Sequence, residues 1–248
     1  MSLSVAVITK NEEAVIRRCL ESVSWADEIV VVDSGSTDRT TQICSQLGAK
    51  VHITADWPGF GPQKNRAVGL TTGDWVLSID ADEWVTPELR TEICGRVANP
   101  GPHAAFRRPR ASSFCGRVMR HSGWWPDPVL RLFARGRARF SDDLVHERLI
   151  VDGPVGGLTH PLMHESFTSL EEVLRKVNRY SSAGAQMMAA SGRRGSLASA
   201  VAHGAWTFMR TYFLQAGFLD GRQGFMLAVS NAEGVYYRYL KAWLLGKR

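Results

Sequence analysis

Short apolar runs alternate with amphipathic segments over the first hundred residues. The runs LSVAVITK, EIVVVDSG, KVHITAD and WVLSIDAD are rich in Val and Ile and predict buried strands. The segments NEEAVIRRCLESV, STDRTTQICSQLGA, GPQKNRAVGLTTGD and TPELRTEICGRV predict helices, with Asn11, Ser36 or Thr37, and Thr86 as expected N-caps. This order of elements predicts βαβ units, a parallel sheet and right-handed crossovers.

The pattern changes after residue 100. AAFRRPRASSFCGRVMRHSGWWPDPVLRLFARGRARF alternates apolar and basic residues between Gly and Pro breaks, which predicts antiparallel strands and loops. From Ser169 onward the spacing of apolar residues is helical, with SGRRGS as a basic connector between two helices. We therefore expect three parts, at residues 1–100, 101–167 and 168–248.

The charge of the chain also changes near residue 100. The chain of 248 residues has a net charge of +6, but residues 1–100 carry −5 and residues 101–248 carry +11. An acidic half suits a metal, and a basic half suits phosphates or an anionic membrane surface. A solvated basic face would give the same count, so charge alone leaves both interpretations open.

Targeting and disulfide signals are weak. The first residues lack a basic segment before their apolar run, and no stretch reaches about 18 uninterrupted apolar residues. The four cysteines are far apart and form no CxxC pair, so neither a zinc site nor a disulfide framework is expected. We expect a cytoplasmic protein that is soluble or peripheral to a membrane.

Polar clusters follow three of the predicted strands, at Thr9 to Glu12, Asp33 to Asp38 and Asp80 to Glu83. Since ligands of parallel sheets bind beyond the carboxyl ends of the strands, these clusters should converge on one edge. In an extended segment Asp80 and Asp82 would point to the same side, where two carboxylates favour Mg²⁺ or Mn²⁺. Capping of the following turn is the alternative interpretation of either aspartate.

Four segments resemble, in their order and spacing, the nucleotide-sugar domain of family-two inverting glycosyltransferases of the GT-A type: SVAVITKNEE, VVDSGSTDRT, GPQKNRA and SIDADE. The resemblance continues through HSGWWPDPVLRLF, FSDDLVHERL, HPLMHESF and FLDGRQGFMLAVSNAEGVYYRYLK. It is closest to the bacterial lipopolysaccharide core glycosyltransferases, including the β-1,4-glucosyltransferase group.

This resemblance implies a fold, an activity and partners. The implied fold is α/β: a GT-A, Rossmann-like mixed sheet flanked by helices, with a C-terminal helical extension. Residues 1–100 would bind the nucleotide sugar, residues 101–167 would bind the acceptor and hold the catalytic groups, and residues 168–248 would associate with a membrane. The implied reaction is metal-dependent inverting transfer of a hexose, glucose from UDP-glucose, to a lipopolysaccharide core sugar or related cell-envelope glycan.

The donor side receives most of the implied roles. Glu12 and Asp33 would contact uracil and ribose, although Ser34 stands where the family often has a second acidic residue. Asp82 would bind Mg²⁺ or Mn²⁺, with His164 as the implied second ligand, ahead of His160. The remaining residues implied near the nucleotide or its sugar are Thr9, Lys64, Arg66 and Asp80.

The catalytic and acceptor roles fall on later residues. An inverting transfer needs a general base for the acceptor hydroxyl, and the resemblance favours Glu147, with Asp143 second. Around the acceptor, Trp124 and Trp125 offer ring faces for stacking on a sugar, although packing in the core is equally open for them. Arg131 suits a phosphate. The acceptor candidates are Trp124, Trp125, Asp127 and Arg131.

Two other readings remain. The amphipathic C-terminal helices suit either an anionic membrane face, at the inner side of the cytoplasmic membrane, or packing within the protein. The chain could also be a non-catalytic nucleotide- or glycan-binding adaptor at the membrane on the same scaffold. A nucleotidyltransferase is disfavoured because TKNEE, and not a Gly-rich loop, follows the first strand. No nucleic-acid partner is expected.

Overall fold

The computed structural model describes residues 1–142 and 147–246. These residues form two compact units. Unit 1 comprises Met1–Arg110 and Asp127–His164, and unit 2 comprises Ala111–Pro126 and Glu165–Arg248. Each unit is therefore assembled from segments that are distant in sequence. The functional division at residues 100 and 167 stays a prediction.

The strands and helices are as follows. The strands are β1 (Leu3–Thr9), β2 (Glu28–Asp33), β3 (Lys50–Ile53), β4 (Trp75–Asp80), β5 (Glu83–Trp84), β6 (Ala105–Phe114), β7 (Arg117–Val118), β8 (Asp127–Ala134), β9 (Ala138–Phe140), β10 (Leu149–Val151), β11 (Val155–Gly157) and β12 (Leu162–Phe167). The helices are α1 (Ile16–Ser22), α2 (Thr40–Gln46), α3 (Phe60–Gly69), α4 (Pro87–Ala98), α5 (Leu170–Ala190), α6 (Leu197–Met209) and α7 (Gly221–Leu245), with a π-helical turn (Arg210–Leu214) and a 3₁₀ turn (Gly217–Asp220) between the last two.

The sheet of unit 1 is mixed, and its first part is the predicted parallel one. Strands β3, β2, β1 and β4 pair side by side in parallel, and β8 then pairs antiparallel with β4 and with β6. Strand β1 is buried along its whole length, which explains its uninterrupted apolar sequence. Val5 and Val7 join one core cluster and Ala6 and Ile8 another, so both faces of the sheet are covered. The predicted mixed α/β fold is confirmed.

Two of the three predicted helix caps need correction. Asn11 does not cap α1, which begins at Ile16; its side-chain Oδ1 instead accepts a hydrogen bond of 2.8 Å from the Thr37 backbone N–H. Helix α2 begins at Thr40, so neither Ser36 nor Thr37 is its N-cap; the Asp38 carboxylate instead accepts a hydrogen bond of 3.0 Å from the Thr40 backbone N–H. The predicted cap at Thr86 is confirmed, since its side chain accepts from the Leu89 N–H at 3.3 Å.

The fourth predicted strand ends earlier than its apolar pattern indicates. Strand β4 stops at Asp80, and residues 81–82 form a turn into β5. The chain between Asp80 and Asp82 is therefore not extended, so the expectation of two carboxylates on one side through strand alternation is wrong. Strand β5 pairs antiparallel with β12, which places His164 opposite Glu83.

Unit 2 is dominated by the helices α5, α6 and α7, as the apolar spacing after Ser169 predicts. The Ser169 side chain accepts a hydrogen bond from the Glu172 N–H at the start of α5. The buried Asp220 carboxylate accepts hydrogen bonds from the backbone N–H groups of Arg120 and His121, each at 3.0 Å. Among the described residues, no helix has the length and apolar content to cross a membrane.

Candidate active site

The carboxyl ends of β1, β2 and β4 bring the predicted polar residues to one edge of the sheet. Thr9 lies opposite Asp33, and Ile8 lies opposite Asp80. The Thr9 hydroxyl donates a hydrogen bond of 2.9 Å to the Asp33 carboxylate. The predicted convergence of the first and third polar clusters on the second is therefore present in the structure.

Asp33 organises the turn after β2. Its carboxylate is fully buried and accepts hydrogen bonds from the Thr9 and Ser36 hydroxyls and from the backbone N–H groups of Gly35 and Ser36. A carboxylate has about four lone-pair positions, and these contacts use them. Asp33 thus stabilises the turn after β2, while its contact with a nucleotide stays a prediction.

The loop that carries Glu12 is joined to the start of α2. The Glu12 backbone N–H donates a 2.8 Å hydrogen bond to the Thr40 hydroxyl, and the Glu12 side chain is half-buried. Nearby in the fold, the buried Gln63 amide donates to the Ser34 and Thr54 hydroxyls at 3.0 and 2.7 Å. Sequence reasoning missed Gln63, although it lies in the quoted segment GPQKNRA.

The two cations of α3, Lys64 and Arg66, have different partners. The exposed Arg66 forms a bidentate ion pair with Asp56, with nitrogen–oxygen distances of 2.8 and 2.7 Å. Lys64 is buried, and its Nζ lies 2.9 Å from Asp80 and 2.8 Å from Glu147. Lys64 therefore links Asp80, at the end of β4, to the predicted base Glu147. The contact between Lys64 and Glu147 spans 83 positions of sequence.

Gly61 allows this approach. It lies in the first turn of α3, and a Cβ at this position would come within 1.9 Å of the Ser141 carbonyl oxygen and 3.5 Å of the Glu147 Cβ. No side chain fits at the first of these distances. The glycine before the QKNRA segment thus lets α3 lie close enough to residue 141 for Lys64 to reach Glu147.

Arg131 and Glu83 complete a buried charge network. Arg131 donates to Asp80 at 2.6 Å and to Glu83 at 3.2 Å. Glu83 is fully buried, accepts the Asp80 backbone N–H at 2.9 Å, and contacts Arg110 at 3.4 Å. Glu83 is the member of this network that sequence reasoning missed most clearly, because its position after a strand indicates no partner.

The cations keep Asp80 ionised. Burial by itself would raise the pKa of Asp80, but Arg131 and Lys64 hold that pKa well below its usual range. The same contacts raise the pKa of Arg131 above its ordinary value against the effect of burial. Asp80 thus presents a fixed negative charge at the sheet edge.

Asp82 and His164 form the candidate metal pair. The His164 Nε2 lies 3.3 Å from an Asp82 oxygen, and the Asp82 side chain is 36% exposed. His160 instead contacts Glu92 at 3.0 Å, and the preference for His164 as a metal ligand stays a prediction. Among the described residues, no group of three or more His, Cys, Asp or Glu side chains is arranged to hold a metal. One carboxylate and one imidazole fit an Mg²⁺ or Mn²⁺ ion that takes its remaining ligands from substrate phosphates and water.

The remaining predicted residues lie in different parts of the chain. Asp127 belongs to unit 1 and accepts from the Arg110 Nε and Nη2 at 2.9 and 2.7 Å. Trp124 and Trp125 belong to unit 2, where Trp125 stacks under the Arg120 guanidinium at 4.5 Å. Asp143, the second candidate base, lies outside the described residues.

Arg108 on β6 is a buried cation without a hydrogen-bond partner among the described residues. Its side chain is 1% exposed, and all three guanidinium nitrogens lack an acceptor. Burial lowers the pKa of Arg108 to about 9, opposed by the negative charge of Glu83. The side chain is therefore still cationic at neutral pH, and its desolvation is offset by the charge of Glu83 without any hydrogen bond to the guanidinium among the described residues.

Replacing Arg108 with methionine should stabilise the protein. Because methionine fills similar volume without an unpaired charge, we expect the free energy of unfolding at pH 7 to rise by about 2 kcal/mol. Urea unfolding of the intact chain measures this change. The exposed neighbour provides a matched control, since Arg107→Met should change stability by less than about 0.5 kcal/mol. Loss of stability in Arg108→Met alone would mean that the guanidinium has a compensating partner.

Comparison with known proteins gives a consistent picture. The family model described as "Glycosyl transferase family 2" matches residues 4–148. An uncharacterized glycosyltransferase of Rickettsia typhi is 32% identical over 96% of this chain and 86% of its own length. The lipopolysaccharide core biosynthesis glycosyltransferase LpsC of Rhizobium meliloti is 31% identical over 98% of this chain and 95% of its own. The crystal structure of S. aureus TarS 1–349 in complex with UDP covers the whole chain and 92% of its own at a TM-score of 0.51 and 15% identity, a likeness of fold.

Proposed function

Because the chain belongs to glycosyl transferase family 2, we propose that it transfers a hexose, glucose from UDP-glucose, with inversion at the anomeric carbon. The acceptor that we propose is a sugar of the lipopolysaccharide core or a related cell-envelope glycan. This choice is supported by the Rhizobium meliloti relative, which is similar over nearly the whole of both chains and is described as acting in lipopolysaccharide core biosynthesis. The fold and the family support sugar transfer; donor, acceptor and stereochemistry are the proposal.

The position of Lys64 between Asp80 and Glu147 carries this proposal. Its ammonium lies within 2.9 Å of both carboxylates, so it fixes the orientation of Glu147 relative to the end of β4. Lys64 binds the Oε1 atom of Glu147, and we assign Oε2 to the acceptor hydroxyl. In an in-line displacement, Glu147 takes the hydroxyl proton as the new bond forms to the anomeric carbon and the bond to the diphosphate breaks.

The donor would lie along the edge formed by β1, β2 and β4. Asp80, held ionised by Arg131 and Lys64, would accept hydrogen bonds from donor hydroxyls. Asp82 and His164 would hold Mg²⁺ or Mn²⁺. The bound ion would stabilise the negative charge of the departing diphosphate. Glu12 would contact the nucleoside from the loop after β1.

For the acceptor, we keep Asp127 of unit 1 as a polar contact and, as a separate prediction, Trp125 of unit 2 as a sugar-stacking candidate. The Trp124 ring packs against the Phe114 and Phe167 rings, which favours the core-packing interpretation for this tryptophan. The Arg110 guanidinium restrains Asp127 by two contacts, so its carboxylate is held in one orientation. Arg131 binds Asp80 and Glu83 directly, and we propose that it shapes the site through these carboxylates in addition to any acceptor phosphate.

Peripheral association with the inner face of the cytoplasmic membrane is part of the proposal. In unit 2, the segment from α6 to α7 exposes a group of large apolar side chains that includes rings in mutual contact. Its exposed members include Trp206, Phe213, Leu214, Phe218 and Phe225. Contiguous exposed apolar surface beside Arg210 and Arg222 suits an anionic lipid interface.

A screen of nucleotide sugars tests the proposed reaction. With Mn²⁺ and a truncated core oligosaccharide, UDP-glucose should be consumed and the acceptor should gain one hexose, as measured by mass spectrometry. UDP-galactose and a nucleotide-linked heptose serve as alternative donors, since they differ in hydroxyl orientation or by one carbon. Binding of UDP without transfer from any donor would favour the non-catalytic adaptor.

A further inference from the structure

A cavity lies wholly within unit 2, among residues that the donor site does not use. It has a volume of about 390 Å³, within the range of small-ligand pockets. Its walls come from α5, α6, α7, the π-helical turn, the ends of β6 and β12, and the loop before residue 126. We propose that this cavity binds a phosphate-bearing lipid, with the phosphate at the rim and an acyl chain on the floor.

The floor of the cavity is apolar. The Phe114 ring contacts the Trp124 and Phe167 rings at centroid distances of 5.9 and 5.7 Å, and Val173 and Leu227 are buried beside it. These side chains offer packing surface and almost no hydrogen bonding. The floor therefore suits a hydrocarbon chain.

The serine and threonine hydroxyl groups around the floor already donate hydrogen bonds within their own helices. Thr207 donates to the His203 carbonyl at 2.8 Å, Ser230 to the Met226 carbonyl at 2.9 Å, and Ser181 to the Asn178 carbonyl at 3.0 Å. Their single donors are therefore used, whereas a bound sugar ring needs many donors and acceptors. This difference favours a lipid chain over a saccharide as the occupant.

Three cations stand around the cavity: Lys176, Arg210 and Arg238. All three side chains are exposed, and none of the lining residues is a carboxylate. In the part of the chain that the structure describes, none of the three forms an ion pair, although the Lys176 Nζ lies 4.4 Å from the Phe167 ring centroid. Unpaired cations above an apolar floor complement a lipid phosphate.

Unit 2 as a whole is also basic, with thirteen Lys and Arg against five Asp and Glu. This charge alone would attract any polyanion. The combination with an apolar floor is what selects a phosphate joined to a hydrocarbon chain. The inference does not rest on sugar transfer, because lipid binding is measured without a donor or an acceptor sugar.

Calorimetric titration of the intact chain with dihexanoyl phosphatidic acid, kept below its micelle concentration, tests the proposal. We expect saturable binding of one lipid per chain. Dihexanoyl phosphatidylcholine, which has the same chains and no net charge, and glycerol 3-phosphate, which has no chains, should each bind at least about tenfold more weakly. Equal affinity for glycerol 3-phosphate would overturn the role of the floor, and equal affinity for the choline lipid would overturn that of the cations.

Two variants address the two halves of the cavity. Gly234 lines it, and a Cβ there meets only Val177 at 3.9 Å, so Gly234→Leu should fill the space without disturbing α7. We expect this variant, and separately the triple change Lys176→Ala, Arg210→Ala and Arg238→Ala, to raise the dissociation constant at least about tenfold.

A control with the same change in charge distinguishes binding in the cavity from general electrostatic attraction of the lipid to unit 2. Arg175, Arg193 and Arg194 are exposed cations of unit 2 that do not line the cavity. Their joint replacement by alanine should leave the dissociation constant within about twofold of the original. An equal loss in this control, or unchanged binding in Gly234→Leu, would overturn the proposal.

Discussion

Replacing Glu147 with glutamine should lower kcat about a thousandfold while leaving the affinity for UDP unchanged. Glutamine has the size of glutamate, and its carbonyl can still accept the hydrogen bond that Lys64 now donates at 2.8 Å. It cannot take a proton from the acceptor hydroxyl. The measurement is the initial rate of transfer at saturating donor and acceptor, together with UDP binding by calorimetry.

A matched control uses a carboxylate away from the site. Asp152 is 89% exposed on its side chain, and Asp152→Asn should retain full transfer. The rival base is tested in parallel by Asp143→Asn. Retained transfer in Glu147→Gln with loss in Asp143→Asn would assign the base to Asp143.

Replacing Asp82 with alanine should abolish turnover and make UDP binding independent of Mn²⁺. Asp82 and His164 are 3.3 Å apart and are the pair of described side chains that we assign to the ion. With few protein ligands, removal of one leaves the ion to water and phosphate alone. Titration of UDP with and without Mn²⁺ measures the effect, and His164→Ala should raise the Mn²⁺ concentration needed for half-activity about tenfold or more.

His160 supplies the control for this second prediction. It lies four positions before His164 but contacts Glu92. His160→Ala should leave the Mn²⁺ requirement unchanged. Full Mn²⁺-dependent binding in Asp82→Ala would remove Asp82 from the metal site.

The sheet edge could be predicted because its causes are local. Continuous Val and Ile runs identify β1, β2 and β4 as strands buried on both faces, and parallel pairing then brings Thr9, Asp33 and Asp80 together. The order of helices and strands also predicts the crossovers. The mixed sheet and the C-terminal helices therefore follow from patterns of a few residues.

The charge network could not be predicted in the same way. Its contacts join Asp80 to Arg131 and Lys64 to Glu147 across 51 and 83 positions of sequence. The sequence therefore predicts an acceptor phosphate as the partner of Arg131. It indicates no partner for Glu83, because an acidic residue after a strand usually faces solvent. The burial of Glu83 depends on β12 pairing with β5, a contact between distant segments.

The turn that follows β4 could not be predicted from the sequence either. The apolar pattern carries the fourth strand through Asp82, but the turn at residues 81–82 gives Asp80 and Asp82 different partners. One aspartate joins the cations Lys64 and Arg131, and the other faces His164. The two neighbouring carboxylates are thus divided between a fixed ion-pair network and a candidate metal position.

Inverting hexosyl transfer at this site is tested most directly by the anomeric configuration of the product. UDP-glucose is an α-linked donor, so proton nuclear magnetic resonance of the purified product of the Mn²⁺-dependent reaction should show a β-linked glucose on the core oligosaccharide. Formation of the α-linked product would contradict a single displacement with Glu147 as the base.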